Sequence, residues 1–268
     1  MPRLLASTAM EWRERDGVKW LEAELPGARA AFSTRVGGVS EPPYDSLNVA
    51  IKTGDEPGRV VDNRRRLVAA LGLAPENVLM GHQVHGAELL RHDQAQRPRV
   101  YADVVPSPDD VDAHATNEPG LAPLVVTADC LPVALAGDGG VVMAHAGWRG
   151  LTGGVLARAA EAVDARAAAI GPGIGPCCYE VGDDVLRAFD GLEGSGAGRM
   201  LDLAAVARRL LERAGVERVE ASDLCTSCNP EQFFSHRRDG ARTGRQCGIA
   251  WLERDAGGDA AGGAADGG

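Results

Sequence analysis

A chain of 268 residues with 44% hydrophobic residues is long enough for one sizeable core, and its formal charge of -10 argues against a surface built to coat nucleic acid. No apolar run reaches the roughly 18 residues of a membrane span, and no N-terminal stretch has the basic, apolar and small-residue order of a secretion signal. The expectation is a soluble cytoplasmic protein that handles a small molecule, with no nucleic-acid or membrane partner. Its six cysteines then read as thiols or metal ligands rather than three disulfides.

In chain order, the alternation over Val18–Leu25 predicts an edge strand, turned at Pro26 and Gly27 into a second strand over 28–34. FSTRVGGVSEPPYDSLNVA is loop chemistry, with Arg35 at its base, where a guanidinium can fork onto phosphate or carboxylate. Apolar positions 60, 61, 67, 68, 71 and 73 predict a helix between 56 and 73, with Arg64, Arg65 and Arg66 on its solvated face. In NVLMGHQVHGAELLRHD the glycines and Val84 favour a strand, so that His82 and His85 point to opposite faces and one alone enters a common site. A short strand over 101–105, a turn over 106–110 and a loop over 113–120 follow.

The stretch PLVVTADCLPVALAGDGGVVMAHAGWRG reads as a hairpin, its apolar runs at 124–127 with 131–136 and at 141–144 turned by the glycines of 137–140. It carries Cys130 beside Asp129 and closes on His145, which is either a metal site or a nucleophile with its base. VLARAAEAVDARAAA is helical in composition, so His145 stands at a strand-to-helix junction where backbone N–H groups favour an anion. A strand entering the Gly-Pro turns of 168–180, helices over 185–189 and 201–214, and strands over 216–223 and 246–252 complete the pattern. The Gly/Ala-rich tail 256–268 has almost nothing to bury and is expected to be disordered.

Taken singly, His85, Cys130 and His145 read as a core histidine, a small apolar cysteine and a helix-cap histidine. Cys225-x-x-Cys228 is the one familiar spacing. With Cys177 and Cys178 it could form a structural tetrathiolate zinc site, against the ordinary expectation of buried free thiols.

STRVGGVS with SLNVA, HQVHG, TADCLPV with HAGWRG, and GPGIGPCCYEVG followed by CTSCNPEQFFSHRRDG together resemble one family from about residue 31 to 251. It is the YfiH or laccase-domain family, once called multicopper polyphenol oxidases and now regarded as zinc-dependent purine nucleoside phosphorylases. The resemblance implies an α/β (α+β) fold, a single-domain α-β-β-α sandwich of mixed sheets over residues 1–255. It implies one metal on the histidine of QVHG, the cysteine of ADC and the histidine of HAGWRG, here His85, Cys130 and His145. Arg35, Asn48 and Arg149 become pocket residues, the two arginines sharing in catalysis. Cys178 fits the CYEVG frame, whereas Cys177 and Cys228 look additional to it.

Two histidines and one thiolate are the ligand set of a catalytic zinc with an open fourth position, which can lower the pKa of bound water to about 7. A laccase needs about ten histidines, largely in His-x-His pairs, so six without such a pair favour zinc over copper. The implied activity is phosphorolysis of adenosine, inosine and guanosine, extending to S-methyl-5'-thioadenosine, with adenosine deamination beside it. Nucleoside and inorganic phosphate are then the partners, with the chain a monomer or small homo-oligomer. Asp129 and His236 are candidates to protonate the departing purine, although a strand at 129–130 would face Asp129 away from Cys130. The rivals are a Cys130–His145 hydrolase editing peptidoglycan precursors, the polyphenol oxidase of the older name, and a non-catalytic module built on the four remaining thiols.

Overall fold

The computed structural model describes residues 10–94, 99–103, 105, 107, 109–192 and 196–253. The tail 256–268 and parts of the turn expected over 106–110 lie outside the described residues.

In chain order the strands are β1 (Glu11–Arg15), β2 (Val18–Leu25), β3 (Ala28–Ser33), β4 (Val78–Leu79), β5 (Leu89–His92), β6 (Ala113–Thr116), β7 (Ala122–Thr127), β8 (Leu131–Gly137), β9 (Gly140–Ala146), β10 (Ala165–Ile170), β11 (Gly196–Ala197), β12 (Met200–Leu201), β13 (Arg218–Ala221) and β14 (Gln246–Leu252). The helices are α1 (Pro57–Leu71), α2 (Val100–Asp103), α3 (Trp148–Thr152), α4 (Val155–Val163), α5 (Asp183–Arg187), α6 (Leu203–Arg213) and α7 (His236–Asp239). One six-stranded sheet runs β1-β2-β3-β14-β7-β4 and the other β13-β10-β8-β9-β6-β5, each mixing parallel and antiparallel neighbours.

Period-two alternation gives each sheet two buried faces. Leu21, Phe32 and Val125 of the first sheet meet Ala134, Met143 and Ala167 of the second in a core between them. The outer face of the first sheet packs under α1 and α2 through Leu67, Val68 and Tyr101, and that of the second under α4 and α6 through Val155, Leu156, Val206 and Leu211. The result is the four-layer α-β-β-α sandwich that the resemblance implied. No described helix is long and apolar enough to cross a membrane.

Several local expectations are corrected by packing. The edge of the first sheet is β1, which covers β2 through a turn at Asp16 and Gly17. Arg64 is buried rather than solvated, because its guanidinium supplies donors to the carbonyls of Val49, Val100 and Tyr101. Residues 100–103 form a helical turn, and 113–116, expected as loop, are β6, buried between β5 and β9. The run at 124–127 belongs to the first sheet, so the hairpin is β8–β9 alone. The helix after residue 154 stops at Asp164, with φ 48°, and the alanines expected to prolong it form β10. Helix propensity yields there because small side chains suit a central strand, Ala167 and Ala169 facing one core and Ala168 and Ile170 the other.

A buried histidine pair on β5 and β6 should make stability fall in mild acid. His92 Nε2 lies 2.9 Å from His114 Nδ1, and both rings are buried. Burial first, then the charge of His92, pulls His114 down to about 3. A folded value below the unfolded one leaves this contribution intact above about pH 6.5 and removes it as pH falls toward 3. Urea unfolding should therefore show about 2 kcal/mol of His114-dependent loss between pH 6.5 and 5, absent from His114→Gln. Parallel slopes for the two proteins would contradict this.

Candidate active site

The β8–β9 register pairs Pro132 with His145, so Cys130, two residues earlier, arrives at the same end of the hairpin. The third member comes from the HQVHG loop. The Gln83 side-chain amide both donates to and accepts from the backbone of Val126, at 2.8 Å each way, which pins the loop to β7. Beyond it His85 takes a left-handed φ of 61°, and the N–H groups of Val84, His85 and Gly86 turn onto the Asp112 carboxylate at 3.2, 3.0 and 2.6 Å. Asp112 Oδ1 also accepts from His145 Nδ1 at 2.7 Å. One buried carboxylate thus sets both the imidazole on β9 and the loop that presents the other.

The ligand atoms of His85, Cys130 and His145 lie within 4.8 Å of one another, and the two imidazoles meet edge to face at 4.9 Å. Burial pushes the Cys130 thiol up, but the charge of His145 and hydrogen bonds with His145 and His85 bring it down to about 6. Burial likewise lowers His145, and the Cys130 thiolate and Asp112 raise it to about 9. Burial would raise Asp112, yet the bonds from His145 and Gly86 hold it below its ordinary value. A thiolate with two imidazoles, one of them oriented by a carboxylate, is a donor set that fits a zinc-type divalent ion.

Gly147 leaves room for this group: a Cβ there would stand 2.9 Å from Cys130 Sγ and 3.4 Å from His85 Cδ2. Gly147→Ala should weaken metal affinity about 10- to 100-fold with a small change in unfolding midpoint, read by chelator competition. Unchanged affinity would contradict that reading.

Asp129 and Cys130 do not lie in a strand. The chain crosses from one sheet to the other between β7 and β8, and Asp129 takes a φ of 99° there. Both residues therefore line one cavity. Asp129 is fixed by bonds from Thr226 Oγ1 at 2.7 Å and Arg237 N at 2.6 Å, which occupy both carboxylate oxygens as acceptors.

The cavity has a volume of about 540 Å³, within the range of small-molecule sites. Met80, Val126, Ile174 and Tyr179 contribute apolar lining, and Arg149, Arg237 and Arg245 cationic lining, with His236 also on its wall. Arg149 is exposed and stacks on Trp148 at 4.4 Å. The helix after His145 is only the five-residue α3, so these arginines rather than a long helix dipole supply the positive field.

Arg35 and Asn48, expected in the pocket, do not line it. Arg35 donates to the carbonyls of Asp45 and Pro230, pairs with the Asp45 carboxylate at 3.1 Å and stacks on Phe234 at 4.7 Å. Asn48 is buried, donating to Ala50, Thr53 and Asp55 and accepting from the backbone N–H of Arg245. Both therefore hold the segments that carry His236 and Arg245. His82 lies outside the three-residue group and bonds Asp110 at 2.8 Å; a loop, not strand alternation, separates it from His85. Asp112, Arg237 and Arg245 were missed by the sequence reading, since a lone acid in an acidic loop and arginines among many carry no spacing signal.

An α-β-β-α sandwich with a thiol and two imidazoles at a cavity where the chain changes sheets defines the laccase-domain class. Residues 29–253 match the family described as Multi-copper polyphenol oxidoreductase laccase, and the chain belongs to that family. It is 40% identical over 240 residues to Purine nucleoside phosphorylase YfiH of Escherichia coli (strain K12), covering 84% of this chain and 94% of the relative. It is 37% identical over 260 residues to Purine nucleoside phosphorylase YlmD of Geobacillus stearothermophilus, covering 88% and 94%. The crystal structure of YlmD from Geobacillus stearothermophilus superposes with a TM-score of 0.81 at 35% identity over 90% of this chain and 98% of that one. That of YfiH from Bacillus licheniformis gives 0.80 at 30%, over 90% and 99%.

Among the described residues, His85, Cys130 and His145 form the one metal-competent group that contains imidazoles. Outside the three-residue group, His82 bonds Asp110 and His92 bonds His114, and the remaining metal-competent cluster is all cysteine.

Proposed function

We propose that the chain is a zinc-dependent purine nucleoside phosphorylase that accepts adenosine, inosine and guanosine, extends to S-methyl-5'-thioadenosine, and also deaminates adenosine. The observation that carries the reading is the meeting of His85, Cys130 and His145 at the wall of a cavity lined by both apolar side chains and arginines. Kinship to relatives named purine nucleoside phosphorylase supports the same reaction class.

In this reading Met80, Val126, Ile174 and Tyr179 take the purine, while Arg149, Arg237 and Arg245 hold phosphate by charge-assisted hydrogen bonds. Zinc held by His85, Cys130 and His145 would supply Lewis acidity beside the substrate. Asp112 keeps the proton on His145 Nδ1 and so leaves Nε2 as that ring's donor atom. Phosphorolysis leaves charge on the departing purine. His236 is the residue proposed to protonate it, because both Asp129 oxygens already accept hydrogen bonds.

The test is product analysis with adenosine and zinc-reconstituted protein. Adenine should appear only when phosphate is added, and inosine with or without it; release of neither would refute the proposal. A second reading, a hydrolase with Cys130 as nucleophile, is favoured by the Cys130–His145 hydrogen bond and the Asp112 carboxylate behind it. It predicts metal-free turnover that iodoacetamide abolishes.

A further inference from the structure

We infer that the chain holds a second metal ion, a structural zinc site made by Cys177, Cys178, Cys225 and Cys228. These side chains lie far apart along the chain in two pairs, yet their four Sγ atoms fall within 4.8 Å of one another. The sulfurs of Cys177 and Cys178 each stand 3.3 Å from that of Cys228, and all four cysteines are free. Zinc with four sulfurs at about 2.3 Å sets them roughly 3.8 Å apart at tetrahedral angles, so small shifts close the shell. Four protein donors would leave no open position, which makes such a site structural.

Backbone donors converge on one of the four sulfurs. Cys225 Sγ accepts the N–H of Gly175 at 3.2 Å and a second backbone N–H from Cys228. A Cβ on Gly175 would stand 3.2 Å from Cys225 Cβ and 3.4 Å from Cys177 Sγ, so glycine admits the sulfurs. The turns at 176–178 and 226–228 are set side by side by a parallel bridge between Gly173 and Cys225, and by the Thr226 N–H on the Gly173 carbonyl at 2.9 Å. Each half thus presents its thiols from a tight turn, and the two turns arrive already in register. The expectation of buried free thiols does not hold, since Cys177 and Cys228 are exposed and only Cys225 of the four is buried.

The placement gives the ion a task. Cys178 precedes Tyr179 on the cavity wall, and Arg237 bonds the carbonyls of Cys178 and Glu180, while Thr226, next to Cys225, bonds Asp129. One ion would tie together the loops that form this wall, without touching His85, Cys130 or His145.

The test uses the full chain purified under reducing conditions. Metal analysis should give two zinc ions per chain, and Cys177→Ser with Cys228→Ser should give one. The variant His85→Ala with Cys130→Ser and His145→Ala should keep one and, with cobalt in its place, show the strong thiolate-to-metal absorption of an all-sulfur site. If a variant does not fold, alkylation of the unaltered protein decides: exposed Cys177 and Cys228 should resist iodoacetamide until zinc is removed by a chelator. One zinc per chain that disappears with the His85, Cys130 and His145 changes, equal alkylation before and after chelation, or a Cys177–Cys228 disulfide in the reduced preparation would each overturn the site.

Discussion

Cys130→Ser should bind zinc at the proposed catalytic site too weakly to retain it, and its phosphorolysis of adenosine should fall more than about 100-fold. That exceeds the roughly 10- to 100-fold typical of losing a partner behind a ligand, because a ligand itself is removed. A serine hydroxyl is isosteric but ionises far above neutral pH, whereas His145 and His85 hold the Cys130 thiol near 6. The fold should survive, since Cys130 lies beyond the end of β8 and is only half-buried. Steady-state rates and the unfolding midpoint are the measurements. A midpoint near the wild-type value with turnover lost is the expected pair, and a serine variant at full rate would remove Cys130 from the chemistry.

Asp112→Ala should be the more damaging change to the whole molecule. The carboxylate is fully buried and accepts four hydrogen bonds, from the N–H groups of Val84, His85 and Gly86 and from His145. Removing it strands those donors and the charge it balances on His145, which should destabilise the fold by about 3–5 kcal/mol. Asp112→Asn keeps the volume but turns one acceptor into a donor, so it should recover part of the stability and still bind metal about 10- to 100-fold more weakly. Urea unfolding and chelator competition separate the two effects. Unfolding midpoints unchanged in both variants would show that Asp112 organises neither the loop nor the imidazole.

The contrast between these residues shows what was legible in the amino-acid order. Cys130 and His145 flank a hairpin whose glycine turn and apolar runs were visible, so their meeting followed from strand pairing once the turn was placed. His85 was named through the family resemblance; its left-handed backbone and its anchoring through Gln83 depend on contacts with β7 and Asp112 that no local pattern encodes. Asp112 sits among Asp109 and Asp110, in a stretch that reads as solvated until β5, β6 and β9 close over it. The same tertiary override turned an alanine run into β10 and an arginine on a helix surface into the donor for three buried carbonyls. Arg35 and Asn48 were recognisable from their motifs, but their motifs could not say that both bond neighbouring segments rather than line the cavity. The four clustered thiols were visible as two pairs, and only the bridge between Gly173 and Cys225 brings those pairs together.

The central claim is that His85, Cys130 and His145 hold one divalent ion on which nucleoside cleavage depends. Phosphate-dependent adenine release should be measured on the purified protein, after removal of all metal, and after return of zinc. The account predicts that activity is lost on removal and restored by zinc in the wild type, with no restoration in the variant carrying His85→Ala, Cys130→Ser and His145→Ala. Full phosphorolysis by protein shown to contain no metal would contradict it.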